Sequence, residues 1–142
     1  MPTGFSELTA GRGFVGRLET GSDLVEEIER FCASRGVLAA QVTVIGAVRR
    51  ATYAYYEQSD HRYLELASDT HHEIVGFTGN ISLREDRPFL HAHGTFADAS
   101  GATVGGHLVR GCEVFAVEVM IREITGVSLV RVPDEQTGLA LW

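Results

Sequence analysis

The 142-residue sequence contains no lysine: all 12 of its basic residues are arginine, set against 19 acidic residues and a formal net charge of −7. That deficit of positive charge argues against a protein whose main work is to neutralise nucleic-acid phosphates, which requires a basic surface. Cysteine is scarce as well. Cys32 and Cys112 lie far apart and neither belongs to a Cys-x-x-Cys pair, so a zinc ribbon or a dithiol redox centre finds no support and reduced, buried thiols are expected. No apolar run approaches the roughly 20 residues that a membrane-spanning helix needs. Met1 to Gly13 lack the basic and apolar regions of a secretory signal. With 44% hydrophobic and 22% charged residues, the chain is expected to form one globular domain over residues 1–142, located in the cytoplasm.

What is present is a succession of strand patterns and one helix pattern. Phe14 to Thr20 alternates as a mixed-face strand. Gly21-Ser22-Asp23 then starts a helix, since Asp23 can accept from free amides and Glu26 completes a capping-box spacing. Leu24, Ile28, Phe31 and Cys32 form its apolar stripe, and Gly36 ends it. Val37 to Ile45 is nearly continuous in apolar and β-branched residues, which predicts a central strand covered on both faces, with a bulge or bend at Gly46. Further strands are predicted over Ala47 to Glu57, Tyr63 to Ala67, His72 to Leu83, Phe89 to Phe96, Thr103 to Val109, Cys112 to Ile124 and Val127 to Val132. Alternation groups Glu73, Val75, Phe77, Gly79, Ile81 and Leu83 on one face, and likewise Phe115, Val117, Val119 and Ile121. The connections are too short for helical crossovers. The fold class is therefore α+β, a mainly antiparallel, strongly curved sheet of about seven to eight strands with one main helix packed on it.

The chemistry concentrates in Arg87-Pro88-Phe89-Leu90-His91-Ala92-His93-Gly94 and in Gly105-Gly106-His107. On a strand, His91 and His93 share one face, opposite Leu90, Ala92, Gly94 and Phe96, and a returning strand can bring His107 beside them. Gly105 and Gly106 permit a close approach. Three neutral imidazoles suit zinc in tetrahedral geometry and leave one position open for water, a small ligand or a neighbouring subunit. A zinc-bound hydroxide would need a proton acceptor nearby. Glu73 and Glu118 are the catalytic candidates, being acidic residues within otherwise apolar strands; their plainer reading is an ion pair, for example with Arg17, or exposure at a strand end. His61, His71 and His72 fall at turns or strand starts and read as solvated. Ser82 lacks a Gly-x-Ser-x-Gly elbow, and Gly101, Gly105 and Gly106 precede neither a lysine nor a helix, so a serine hydrolase and a phosphate loop are both unsupported.

Taken in order, Gly16-Arg17, Gly21-Ser22-Asp23-Leu24, Gly46-Ala47, Tyr55-Tyr56, His72-Glu73-Ile74, Gly79-Asn80-Ile81-Ser82, the His91/His93 segment, Gly105-Gly106-His107-Leu108, Glu118-Val119 and Gly138-Leu139 resemble the plants-and-prokaryotes-conserved (PPC) domain across nearly the whole chain. The resemblance implies an antiparallel sheet with few helices, assembly as a homotrimer, and a metal, usually taken as zinc, on His91, His93 and His107. Plant members carry the domain beside AT-hooks, whose core reads Arg-Gly-Arg-Pro. Here Gly11-Arg12-Gly13 lacks the second arginine and the proline, which separates this chain from that DNA-binding association. The function implied is a metal-binding trimeric module of unassigned activity with a position for a small molecule. A zinc-dependent hydrolase or lyase on a small polar substrate and a DNA-associated regulator are the alternatives.

Overall fold

An 18-residue strand, β2 (Ala40–Glu57), organises the sheet. In the computed structural model, which describes residues 4–142, β1 (Thr9–Arg17) and α1 (Leu24–Arg35) precede it. After it come β3 (Arg62–Ser68), β4 (His72–Arg84), β5 (Arg87–Ala97), β6 (Thr103–Leu108), β7 (Glu113–Thr125), β8 (Val132–Pro133) and β9 (Ala140–Leu141). The first half of β2 pairs with β4 and β7, and its second half with β3 and β6. Every one of these pairings is antiparallel, as the short connections required. The main sheet has seven strands in the order β1-β7-β2-β4-β5-β6, with β3 attached to β2. Because β6 returns to Tyr53 and Ala54 of β2, strands β2, β4, β5 and β6 close into a small barrel. The α+β class, the curvature and the single helix of the sequence reading are all present.

Helix α1 begins and ends where the capping residues put it. Asp23 accepts from the Glu26 amide at 2.9 Å, and Gly36 closes the helix in the left-handed conformation. Leu24, Val25, Ile28 and Cys32 are its buried residues and join the core formed by Val42, Val48, Ile81, Leu90, Phe96, Val114 and Val117. Glu29 on the helix accepts from the Leu90 amide at 3.0 Å, tying α1 to β5. Cys32 and Cys112 are free and buried, and burial pushes their thiols up to about 12 and about 11, so both are inert at neutral pH. Among the described residues no helix is long and apolar enough to cross a membrane.

Bulges account for most departures from the sequence-based strand faces. Val75 is the extra residue between the pairs Ile74↔Phe96 and Gly76↔Thr95, so the inward phase changes along β4. Glu73 and Val75 are exposed while Gly79 and Ile81 are buried, and the six-residue face predicted for β4 is split. Phe115 is likewise the extra residue opposite Ala47/Val48, which turns it outward and leaves Val114 and Val117 as the buried neighbours. A simple period of two runs through both positions and cannot see them. The two strands predicted around Gly46 are one strand that bends at that residue, where φ is 137°. Its doubly covered stretch is Ala51 to Ala54, where all four residues are buried; along Ala40 to Ile45 burial alternates instead. The last strand predicted, Val127 to Val132, is mostly irregular: Val130 makes a single parallel bridge to Leu83, and pairing resumes only at β8.

Candidate metal centre

His91 and His93 stand on the outward face of β5, two residues apart, because Leu90, Ala92, Gly94 and Phe96 take the inward positions. His93 is the register partner of His107 on β6, so the third imidazole leaves the sheet on the same side. That register depends on small residues. A Cβ on Gly105 would lie 2.2 Å from the Gly94 carbonyl oxygen, and one on Gly106 would lie 2.6 Å from that of Ala54. Only glycine lets β6 pass between β5 and β2 closely enough to present His107.

The ligand nitrogens of His91, His93 and His107 all lie within 4.8 Å of one another. Nitrogens on a tetrahedral zinc are roughly 3.3 Å apart, so modest side-chain rotation closes this set around an ion. The titration state also suits ligation. Burial, then the charges of Arg131 and His93, holds His91 down to about 4; burial, then His91, His93 and Arg131, holds His107 down to about 4. Both rings are therefore neutral at neutral pH, with a lone pair available. Three imidazole nitrogen donors on two adjacent strands are a fit for zinc or a similar ion.

The Plants and Prokaryotes Conserved (PCC) domain model matches residues 5–125. The chain belongs to this family. A metal-containing protein from Archaeoglobus fulgidus is 40% identical, with 99% of each chain covered and a TM-score of 0.93. A plant- and prokaryote-conserved (PPC) protein from Pyrococcus horikoshii is 31% identical, with 99% of this chain and 96% of that one covered and a TM-score of 0.93. The Bifunctional protein GlmU of Synechococcus sp. (strain JA-3-3Ab) is 33% identical over 124 residues, 86% of this chain. This chain spans 19% of the length of that curated relative.

In this PCC-family chain the two glutamate candidates are not brought to the histidines. Glu73 is exposed and pairs in register with Ala97, four residues beyond His93 on β5, or about 13 Å of strand. Glu118 is exposed on β7, flanked in register by Arg17 and Ile45. Distance is the physical reason: Glu73 leaves the same outward face as the histidines but near the far end of the β4–β5 pair, and Glu118 lies on β7, which β2 and β4 separate from β5. His72 also departs from expectation, since it is buried with its Nδ1 2.7 Å from the Thr70 carbonyl oxygen. His61 lies beside the cluster's cleft, its ring stacked with Tyr56 at 6.4 Å.

Two residues that sequence reasoning did not single out complete the surroundings. Arg131 is half-buried; its Nε donates to Ser82 Oγ at 2.7 Å and its Nη1 to the Ala140 carbonyl oxygen at 3.0 Å. Its Nη2 lies 3.4 Å from Asn80 Oδ1 and 3.3 Å from His91 Nδ1. Tyr63 packs its ring 4.8 Å from that of His107, and burial pushes its phenol up, which keeps it protonated. The signal for Arg131 was its place as the lone charge in the apolar run Val127 to Val132. For Tyr63 there was none, because only the β2–β3 pairing brings it near β6.

Proposed function

We propose that this chain is a metal-binding member of the PCC family that holds zinc on His91, His93 and His107, keeps one coordination position for a small ligand, and assembles as a homotrimer. The observation that carries the reading is the gathering of three imidazole nitrogens within 4.8 Å, on two strands whose register aligns His93 with His107. The description of the Archaeoglobus fulgidus relative as metal-containing supports it. Three protein ligands are one short of a closed structural zinc site, which is the arrangement that leaves a position for water or a ligand. Association is supported by the outer face of β1, β7 and β2, where Val15 is 76% exposed and Ile45 63%, with Met120 and Phe115 also exposed, and the number three is what the family resemblance implies. Apolar side chains grouped in this way are covered in a stable protein by another surface.

Metal analysis after gentle purification is expected to find close to one zinc per chain; below about one tenth of an equivalent the zinc assignment fails. Light scattering on the same sample is expected to give three times the 15.5 kDa chain mass, and a monomer or dimer mass removes the trimer. The cleft of about 320 Å³ that opens on His91 and His107 favours a second reading, a zinc-dependent hydrolase or lyase acting on a small polar molecule. A metal-bound structure with its coordination closed by protein would eliminate it. No observation favours the DNA-associated alternative, and titration of duplex at low salt, where phosphate contacts are strongest, is expected to show no binding.

A further inference from the structure

We propose that the cleft beside the histidines is a receptor for a small oxyanion, a carboxylate or phosphate group held by Arg131 and Arg84, with the rest of the ligand directed toward the metal position. The proposal names the ligand class for the metal-site reading and rests on that reading only for the ligand's second anchor.

The cleft encloses about 320 Å³, the size of a small metabolite, and its walls include Arg62, Tyr63, Arg84, Phe89, His107 and Arg131. It contains three arginines and no aspartate or glutamate, in a chain whose acidic residues outnumber its basic ones 19 to 12. Arg62 has a carboxylate partner in Asp60 at 3.5 Å. Among the described residues Arg84 and Arg131 have none. Both guanidinium groups rest on the Phe89 ring, 5.3 and 5.4 Å from its centroid, so one aromatic side chain gathers two cations at the cleft. None of the hydrogen-bonding contacts of the Arg131 side chain is to a carboxylate: they are to the Ser82 hydroxyl, the Ala140 carbonyl, the Asn80 amide and the His91 ring. These contacts fix the guanidinium in place without neutralising it, and its flat fork of donors suits a carboxylate or phosphate. The Tyr63 hydroxyl, which has no hydrogen-bond partner among the described residues, adds a donor to the same wall.

Charge and lone-pair accounting then couple this receptor to the metal position. Three imidazoles bring no negative charge, so a divalent ion there adds two positive charges next to Arg131, and an oxyanion balances both. The Arg131 Nη2 contact with His91 also needs a lone pair on Nδ1. An ion bound at Nδ1 takes that lone pair, and an ion bound at Nε2 sends the ring proton to Nδ1. In either case the guanidinium N–H is released toward the cleft. Metal and oxyanion therefore bind with positive coupling.

Calorimetric titration with inorganic phosphate and with succinate, on zinc-loaded and chelator-treated protein, tests this. Zinc-loaded protein is expected to bind at least one probe about tenfold more tightly than chelator-treated protein does, and to ignore the neutral analogue succinamide. Phosphate binding alone identifies a phosphate ligand and succinate binding alone a carboxylate. Arg84→Gln, at an exposed position, is expected to weaken binding about tenfold or more with zinc content unchanged; it decides the matter if Arg131→Gln does not fold. The proposal is overturned if neither probe binds, if succinamide binds as well as succinate, or if Arg84→Gln binds like the parent, which would put the oxyanion on the metal alone. Zinc measured in the same samples separates the two readings. Zinc without oxyanion binding overturns the receptor and leaves the metal site; oxyanion binding weakened by Arg84→Gln in protein that takes up no zinc sustains the receptor and removes the metal site.

Discussion

Strand β5 has two faces that differ by one residue of phase and by everything else. Leu90, Ala92 and Phe96 are at most 2% exposed and join the core under α1, whereas His91, His93 and Thr95 leave the opposite side, which α1 does not cover. The inward face has lost its water and holds the fold together by burial. The outward face keeps polar groups that water or a ligand can reach. Alternation thus lets one strand serve stability and chemistry with little interference between them.

The sharpest way to break that separation is from the core. Phe96→Ala removes a fully buried ring packed 6.4 Å from Tyr53, and urea denaturation should show a loss of about 3–5 kcal/mol. A loss below about 1 kcal/mol would mean that the inward face does not carry the stability assigned to it. On the other face, His93→Ala should leave metal-free stability within about 0.5 kcal/mol of the parent, since His93 is exposed, while zinc affinity falls more than about 100-fold. Unchanged zinc affinity would remove His93 from the ligand set. Gly105→Ala crosses the divide. Its Cβ meets the Gly94 carbonyl at 2.2 Å, so β6 must move from β5, costing about 1–3 kcal/mol and weakening zinc binding in the same variant. Loss of stability without loss of zinc would show that His107 tolerates a displaced strand.

The smallest effect is that of pH on metal-free protein. In the folded chain His91 and His107 titrate at about 4, against an ordinary imidazole value of 6.5. Above 6.5 both are neutral folded or unfolded, and their surroundings cost nothing. Between 6.5 and 4 the unfolded chain takes up protons that the folded one does not, so stability falls as the pH drops through that window. Both rings are only half-buried, which keeps the slope modest. Thermal melts of metal-free parent and His107→Ala should show a shallower acid slope in the variant, and equal slopes would contradict the burial assigned to that ring.

The parts of this molecule that were readable from sequence are those fixed by local chemistry. Asp23 and Gly36 bracket α1 because capping is decided within a few residues. The inward set of β5 was readable because no bulge interrupts β5 between Arg87 and Thr95. Val75 and Phe115 were misplaced because a bulge depends on the partner strand as much as on the bulged one. The histidine cluster was legible from His91, His93 and the glycines before His107. Arg131 and Tyr63 were not, because each reaches the cleft from a segment remote in sequence.

The PCC family match ends at residue 125, and Arg131 lies beyond it. The guanidinium is held in place from further along the same tail: Asp134 accepts from the Thr137 amide and hydroxyl, the chain turns, and the Ala140 carbonyl comes round to meet Arg131. Tyr56, donating to the Thr137 carbonyl at 2.6 Å, pins the turn to β2. The imidazoles and their cationic neighbour thus come from separable stretches of chain. A relative that kept β5 and β6 and exchanged its final segment would retain the cluster while acquiring a different wall beside it. The wall beside the cluster therefore depends on a segment outside the strands that make the site, and a change there reaches the cleft without touching the histidines.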